Sequence, residues 1–279
     1  MKKKRVIPVL LHKEGWLVQS KIFREYKKIG NAQKAVQRLS EWDSDELIYL
    51  DISKSDSYTT NRSDTAAPEY KDLIELLNEV SKVARMPITF GGGIETLTDI
   101  EIRLRAGADK VSINRAALAD PSFIASASKE FGRQCIVVSV DYEEMSKERY
   151  IFDSNKNLLH KNSNKVLDWL LEIEQLGAGE ILLNSVSRDG MKTGYDISFL
   201  AKASSTVSVP LIACGGAGTW EHLAEVLLET NVDAVAAANI FHFQDQSVYL
   251  ARLYLESKGL MVRPPSLQKR RGIPINDLL

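Results

Sequence analysis

A single (β/α)8 barrel made of two similar halves is the fold this sequence predicts, and three observations carry the prediction. Eight short β-prone apolar runs recur along the chain, with amphipathic stretches of helical period between them, the pattern of βα units around a parallel sheet. The runs are almost continuously hydrophobic, as expected of strands covered on both faces. The 279 residues suit one such barrel, for which about 250 is typical.

The elements follow in order. Arg5–Leu11 comes after the basic start Met1-Lys-Lys-Lys and ends where His12, Lys13 and Glu14 restore polarity. Its apolar part is too short for a signal-peptide core, so it reads as a strand. Leu47–Ile52 is the second strand, followed by the polar stretch Ser53–Glu69 and a helix over Tyr70–Ala84. A βα connection of that length is expected to be functional or mobile. Pro87–Phe90 runs into Gly91-Gly-Gly93 and a helix over Thr98–Ala106; Lys110–Ile113 is the fourth strand and Cys135–Asp141, ending on an acid, the fifth. The polar stretch Asp153–Asn164 precedes a helix over Lys165–Leu176. Strands Ile181–Ser185 and Val209–Ala213, the helix Trp220–Glu229 and the strand Ala234–Ala238 complete the set. The barrel is expected over residues 1–263, in halves of about 1–130 and 131–263. A solvated tail follows over 264–279, including Gln268-Lys-Arg-Arg271.

The halves are related by an internal repeat, the first thing to seek in a chain of this length. Gly91-Gly-Gly-Ile94, a helical stretch and Gly107-Ala-Asp-Lys-Val-Ser-Ile-Asn114 are echoed by Gly215-Gly-Ala-Gly218, a similar stretch and Asn231-Val-Asp-Ala-Val-Ala-Ala-Ala238. Gly91 and Gly215, like Asp109 and Asp233, lie 124 positions apart. Leu47–Leu50 is likewise echoed, at a different offset, by Ile181–Leu183, each run preceded by a glutamate.

Composition sets outer bounds. Lys and Arg number 36 against 37 Asp and Glu, so no global field draws the chain to nucleic acid or an anionic membrane. No membrane partner and no nucleic acid are expected. Cys135 and Cys214 stand alone, without CxxC or Cys/His spacing, so neither a disulfide framework nor a metal site is expected. The setting reads as reducing and cytoplasmic, and no cofactor is implied.

In this fold, function belongs at the C-terminal ends of the strands. Gly92-Gly93 and Gly215-Gly216 lie there, and consecutive glycines let backbone N–H groups approach an anion closely. Ser112 and Asn114 in one half, and Ala238 and Asn239 in the other, complete two phosphate cradles; Gly190 is a further candidate. The competing reading is that these glycines only permit tight turns. Two cradles on opposite sides of the mouth imply a long ligand with a phosphate at each end. Acid–base chemistry between them needs a carboxylate, and Asp141, at the end of an apolar strand, is the leading candidate. Asp51 and Asp189 are further candidates, although Asp-Gly is also ordinary turn chemistry.

The segments Gly91–Ile94, Gly107–Asn114, Gly177–Leu183, Arg188-Asp-Gly190, Thr193–Asp196, Gly215–Gly218 and Phe241-His-Phe243 together resemble the cyclase subunit of imidazole glycerol phosphate synthase, the HisF family. The match runs in order from about Arg5 to Arg263. The resemblance implies a barrel that takes ammonia from a separate HisH-type glutaminase docked at the N-terminal face, forming a heterodimer. It also implies a bis-phosphorylated ribonucleotide substrate, cleaved and cyclised to imidazole glycerol phosphate and an aminoimidazole carboxamide ribotide. The family's charged gate maps onto Arg5, Glu46, Lys110 and Glu180, and a family acid facing the glutaminase maps onto Asp109. Each gate charge begins a strand, and two cations with two anions can satisfy one another in a ring.

The departures lie at the other end. The family places a catalytic aspartate at the end of the first strand, where this chain has Leu11, and leucine cannot transfer a proton. Strand alternation turns the following His12 away from the barrel axis if Leu11 faces it. Gln19-Ser20 stands for the family's lysine and glycine, Asn184 for a threonine and Asn239 for a serine. The second loop has gained residues around Tyr58–Pro68. An intact gate with an eroded cyclase centre points to a divergent paralogue that passes ammonia, or activates the glutaminase, for another amidation. Diverged members of the family accompany a sugar amidotransferase in surface-polysaccharide synthesis. A working cyclase of histidine biosynthesis is the second reading, and another phosphate-binding barrel activity such as sugar-phosphate isomerisation the third.

Overall fold

The computed structural model describes residues 3–53, 58, 70–145, 148–153, 158–159, 166–242 and 247–264. Most of the inserted stretch Tyr58–Pro68, Phe243 and the basic segment of the tail lie outside them. The strands are β1 (Arg5–Lys13), β2 (Trp16–Lys21), β3 (Glu25–Gly30), β4 (Leu47–Asp51), β5 (Ile88–Gly91), β6 (Lys110–Ile113), β7 (Ile136–Met145), β8 (Glu148–Asp153), β9 (Leu158–Leu159), β10 (Glu180–Ser185), β11 (Leu211–Cys214) and β12 (Ala234–Ala237). Eight of them, β1, β4, β5, β6, β7, β10, β11 and β12, pair in parallel, and the β7–β10 and β12–β1 pairings close the ring. This is the (β/α)8 barrel that the apolar runs predict.

The helices are α1 (Ala32–Glu41), α2 (Leu73–Val83), α3 (Leu97–Arg105), α4 (Arg115–Ala119), α5 (Ser122–Phe131), α6 (Val166–Gln175), α7 (Ile197–Thr206), α8 (Trp220–Glu229) and α9 (Ser247–Ser257). The first three start with ordinary capping chemistry. Asn31 and Asp72 accept from backbone N–H groups of the first turns of α1 and α2, and Thr96 and Asp99 form a reciprocal capping box on α3. Each helix lays an apolar stripe on the strands; in α2 it is Leu73, Leu76, Leu77 and Val80. That stripe belongs to the large cluster between helices and sheet, with Val6, Leu10 and Tyr49 contributed by the outward faces of β1 and β4.

The inner cluster is separate and smaller. Ile7, Val9, Ile48, Val137, Leu182 and Ile212 fill the barrel, with Leu11, Leu50, Cys214 and Ala238 packed on it towards the C-terminal end. Side chains alternate along a strand, so these positions fix the inward row on each strand. On β1 that row is Arg5, Ile7, Val9 and Leu11. On β7 it includes Val137, Ser139 and Asp141, and on β10 it is Glu180, Leu182 and Asn184. Leu11 therefore faces the axis and His12 the helices, as the alternation argument requires.

Two antiparallel extensions were not legible as strands in the sequence. β1 continues into β2 through a turn at Glu14-Gly15, with φ of 49° and 85°, and β2 pairs with β3. β7 runs past Asp141 and pairs with β8, which pairs with β9. β1 and β7 are the first and fifth of the eight barrel strands, so the two extensions rise from opposite sides of the mouth.

Candidate active site at the mouth and a charged ring at the base

At the C-terminal end Asp141 is the centre of a polar cluster on the inward row. It is buried, with Asn114 Nδ2 donating to Oδ2 at 2.8 Å and Asn184 Nδ2 donating to Oδ1 at 3.2 Å. Burial raises its pKa, the two amide donors oppose that, and nearby Asp189 adds a like charge; the result is about 7. A carboxyl so placed takes up and releases a proton near neutral pH. Asn114, expected in a phosphate cradle, thus spends its amide on Asp141, and Asn184 supplies the second donor.

Because the folded carboxyl holds its proton to higher pH than the unfolded one, it stabilises the protein less as pH rises from about 4 to 7. Asp141→Asn is expected to remove that falling limb and to gain on the order of 1–3 kcal/mol above pH 7. Urea melts at pH 5 and pH 8 test this, and an unchanged pH profile would show that Asp141 is ionised throughout.

Asp189 lies under the β2–β3 hairpin. Ser20 Oγ donates to Asp189 Oδ2 at 2.6 Å, Phe23 N to the same oxygen at 3.3 Å, and Ile22 N to the Asp189 carbonyl at 3.0 Å. Burial raises the Asp189 pKa against these donors. Asn239, buried, donates from Nδ2 to the Ser20 carbonyl at 3.1 Å. Gly190, at φ 68°, lets the hairpin approach, since a Cβ there would lie 2.5 Å from the Ser20 carbonyl oxygen. Ile22 and Phe23 form the turn with φ of 47° and 56°, a costly conformation for a β-branched residue. The tip also meets the opposite extension, with the Phe23 and Phe152 ring centroids 6.2 Å apart. Asp189→Ala is expected to cost about 1–3 kcal/mol and to speed tryptic cleavage at Lys21 and Arg24. Unchanged cleavage would show that the hairpin is held elsewhere.

Asp51 is placed differently. It follows Leu50 and belongs to the outward row, beside His12, whose Nδ1 lies 3.6 Å from Asp51 Oδ1. Tyr58 OH donates to Oδ2 at 2.9 Å, and Ser53 donates to Oδ1 from both N and Oγ. Burial pushes the Asp51 pKa up, but His12 and the Ser53 donors outweigh it and hold the carboxyl below its usual range. Asp51 thus stands with His12 and Tyr58 behind the strands, apart from the inward row that carries Asp141. His12 is 1% exposed, and among the described residues neither ring nitrogen makes a hydrogen bond.

The two glycine pairs occupy equivalent places. Gly92 and Gly216 have φ of 111° and 109°, and a Cβ on either would lie about 2 Å from a neighbouring carbonyl oxygen, that of Asp51 or of Gly194. Close backbone approach alone thus requires glycine at both positions. Gly93 (φ 58°) and Gly215 (φ 94°) share the left-handed region. Ser112 is buried on the inward row of β6, and Ala238 packs on the inner cluster. Among the described residues no group of three metal-ligating side chains converges, and no helix is long and apolar enough to cross a membrane.

At the N-terminal end the four predicted charges meet. Arg5 Nη1 donates to Glu46 Oε1 at 2.6 Å, and Arg5 Nη2 to Glu180 Oε1. Lys110 Nζ donates to Glu46 Oε2 at 3.2 Å and to Glu180 Oε2 at 2.9 Å. Each carboxylate bridges both cations, which makes a closed, neutral ring across the base. Burial opposes the Arg5 charge, but Glu180 and Glu46 raise its pKa above the ordinary value. Asp109, just outside the ring, accepts from Ile88 N at 2.8 Å, and its repeat counterpart Asp233 accepts from Leu211 N at 3.1 Å. Both carboxylates stitch strand bottoms together.

Comparison with known proteins places this geometry in context. The Histidine biosynthesis protein family matches residues 5–247. The chain is 38% identical over 278 residues to the provisionally named imidazole glycerol phosphate synthase subunit hisF2 of Vibrio vulnificus, covering 100% of this chain and 97% of that protein. It is 38% identical over 263 residues to imidazole glycerol phosphate synthase subunit HisF of Staphylococcus saprophyticus, covering 94% and 100%. The same subunit of Flavobacterium psychrophilum is 38% identical over 267 residues, covering 93% and 98%.

Proposed function

From the premise that the chain belongs to the HisF family of imidazole glycerol phosphate synthase subunits, we propose that it is the ammonia-accepting half of a glutamine amidotransferase, paired with a HisH-type glutaminase. In this reading the ring of Arg5, Glu46, Lys110 and Glu180 is the gate through which ammonia enters, and Asp109 lies at the glutaminase interface. The reading goes on to a divergent role. The barrel conducts ammonia, or activates the glutaminase, for an amidation other than imidazole formation, with a sugar amidotransferase completing the chemistry.

One observation carries this role: the gate charges are all paired while Leu11 occupies the inward position across the mouth from Asp141. A cyclisation that needs two proton-transfer groups is left with one side of its pair, and losing such a group costs about 10²–10⁴ in rate. The experiment is substrate loss by the purified protein supplied with the bis-phosphorylated ribonucleotide and ammonium salt. Negligible turnover, together with stimulation of a co-expressed glutaminase, supports the conduit reading. Turnover at an ordinary enzymatic rate sinks it.

A second reading, a working cyclase of histidine biosynthesis, is favoured by Asp141 itself, buried between two amide donors with a pKa of about 7. There Asp141 and Asp189 share the proton transfers. In both readings the Gly92-Gly93 and Gly215-Gly216 turns, with Ser112, Gly190, Ala238 and the backbone N–H groups of Asn114 and Asn239 around them, hold the two phosphates of the ligand.

A further inference from the structure

Beside the ring at the base lies a second cluster of four charges, between α9 and the turn from α1 to β4. Arg252 of α9 is buried, and its Nη1 donates to Asp43 Oδ2 at 2.9 Å and to the Asp43 carbonyl. Its Nη2 donates to the Arg263 carbonyl and lies 4.0 Å from Asp45 Oδ1. Arg263 Nε donates to Asp45 Oδ1 at 2.9 Å, and Arg263 Nη2 lies 3.0 Å from Asp43 Oδ1 and donates to the Ser44 carbonyl at 3.0 Å. None of the four belongs to the ring, yet Asp45 immediately precedes Glu46. Asp45 Oδ2 also accepts from Val6 N at 2.9 Å, next to Arg5. One carboxylate thus fixes the backbone beside both members of the Arg5–Glu46 pair.

The two halves of the barrel differ here. At the offset of 134 residues that superposes Glu46 on Glu180, Asp43-Ser-Asp45 corresponds to Gly177-Ala-Gly179. At the offset of 124 residues that superposes Asp109 on Asp233, Arg252 corresponds to Ser128. The contacts correspond as well. A Cβ on Gly177 would lie 2.7 Å from Ser128 Oγ, where the first half has Asp43 against Arg252. Arg133 donates to the Ala178 carbonyl at 3.0 Å, as Arg263 does to that of Ser44. What the second half lacks is the carboxylates and the buried guanidinium. There Gly179 packs directly on main chain, since a Cβ would fall 1.8 Å from the Arg133 carbonyl oxygen. Glu180 is therefore backed by close main-chain packing and Glu46 by ion pairs. Asp43 keeps a side chain at φ 62°, in the left-handed region that Gly177 occupies at 105°. A buried cation is costly unless it is well paired, and the second half shows that the fold can back a ring glutamate without one.

We propose that Arg252, acting through Asp43 and Asp45, is the positioning residue for Glu46 and keeps the Arg5–Glu46 side of the gate closed. The inference rests on the reading of the ring as an ammonia gate. Glu46 holds Arg5 with one oxygen and Lys110 with the other, and such bonds weaken steeply when their geometry shifts. The turn that carries Glu46 must therefore be fixed. Arg252 fixes it from the buried side, while Arg263, whose side chain is 46% exposed, holds the same two carboxylates from the solvent side, where pairing is weaker. Without the Arg252 charge the turn relaxes and takes Glu46 with it. Glu180, backed by the Gly179 main chain, stays in place. The gate thus has one side set by main-chain packing and one side set by a buried charge.

The test reads the ring and its function separately. In the full-length protein carrying carbon-labelled glutamate, the carboxylate resonances of Glu46 and Glu180 are compared among wild type, Arg252→Met, Arg252→Lys and Ser128→Ala, with thermal melts alongside. Glu46 is expected to move in Arg252→Met, to move less in Arg252→Lys and to stay in Ser128→Ala, while Glu180 stays in all three. In the complex with a glutaminase, free ammonia per glutamine consumed is expected to rise at least about threefold in Arg252→Met. An unmoved Glu46 in folded Arg252→Met overturns the proposal, and so does an equal movement of Glu180. If Arg252→Met does not fold, Asp43→Asn is read in its place by the same criteria. A displaced Glu46 without extra loss of ammonia overturns the inference when Lys110→Ala does release ammonia. When Lys110→Ala does not release it either, the gate reading itself fails, and this inference with it.

Discussion

Leu11→Asp is expected to raise cyclisation of the bis-phosphorylated ribonucleotide, with ammonium salt as nitrogen source, by about 10²–10⁴ over the parent chain. The argument is positional. Leu11 pairs with Leu50 on β4, and both pack on the inner cluster at the mouth. It lies on the first barrel strand, while Asp141 lies on the fifth, so a carboxylate at position 11 would face Asp141 across the axis. His12 cannot supply that group, because it is turned outward against Tyr58 and Asp51. Placing an acid among apolar neighbours costs about 1–3 kcal/mol, so the variant is expected to melt earlier than the parent while turning over faster. If the rate does not rise, the missing acid is not what limits cyclisation.

Lys110→Ala carries the second large effect. Among the described residues, Lys110 is one of two cations that hold Glu46 and Glu180. Without it the two carboxylates share Arg5 alone, and the ring opens on one side. In the complex with a glutaminase, glutamine hydrolysis is expected to continue while most of the ammonia escapes to solvent; in the parent, little should escape. Free ammonia per glutamine consumed is the measurement. A ratio equal to that of the parent counts against a basal gate. The stability loss is expected to be about 1–3 kcal/mol, less than for a fully buried pair, because the Lys110 side chain is 23% exposed.

How much of this was legible in the sequence depended on how local the cause was. The eight barrel strands follow from continuous apolar runs, and their ends shift by only a few residues; Val209–Ala213, for example, becomes Leu211–Cys214. The helix Trp220–Glu229 agrees with its sequence reading at both ends. The ring of four charges came from the family resemblance, with each charge at the start of an apolar run, and the alternation rule required only that Leu11 and His12 face opposite sides. The β2–β3 hairpin was not legible. β3 is Glu-Tyr-Lys-Lys-Ile-Gly, mostly exposed, with no alternation to mark it. The only local cue was Glu14-Gly15 ahead of Trp16-Leu-Val18. The contacts of Ser20 with Asp189 and Asn239 join residues about 170 and 220 positions apart, which no local pattern displays. Asp51 illustrates the limit on site assignment: its place after an apolar run suggested the axis, but parity puts it on the other face.

The two antiparallel extensions carry a consequence for how the chain changes over time. They rise from strands related by the internal repeat, yet they are fastened by unlike means: one through Ser20, which donates to Asp189 and accepts from Asn239, the other through Arg149, which donates to Asp196 at 2.8 Å. The two arms thus occupy corresponding places in the repeated frame but are held by unlike contacts. Because the Phe23 and Phe152 rings meet between the arms, loosening one arm changes what the other packs against, and a new acceptor must be accommodated by both sides of the mouth together.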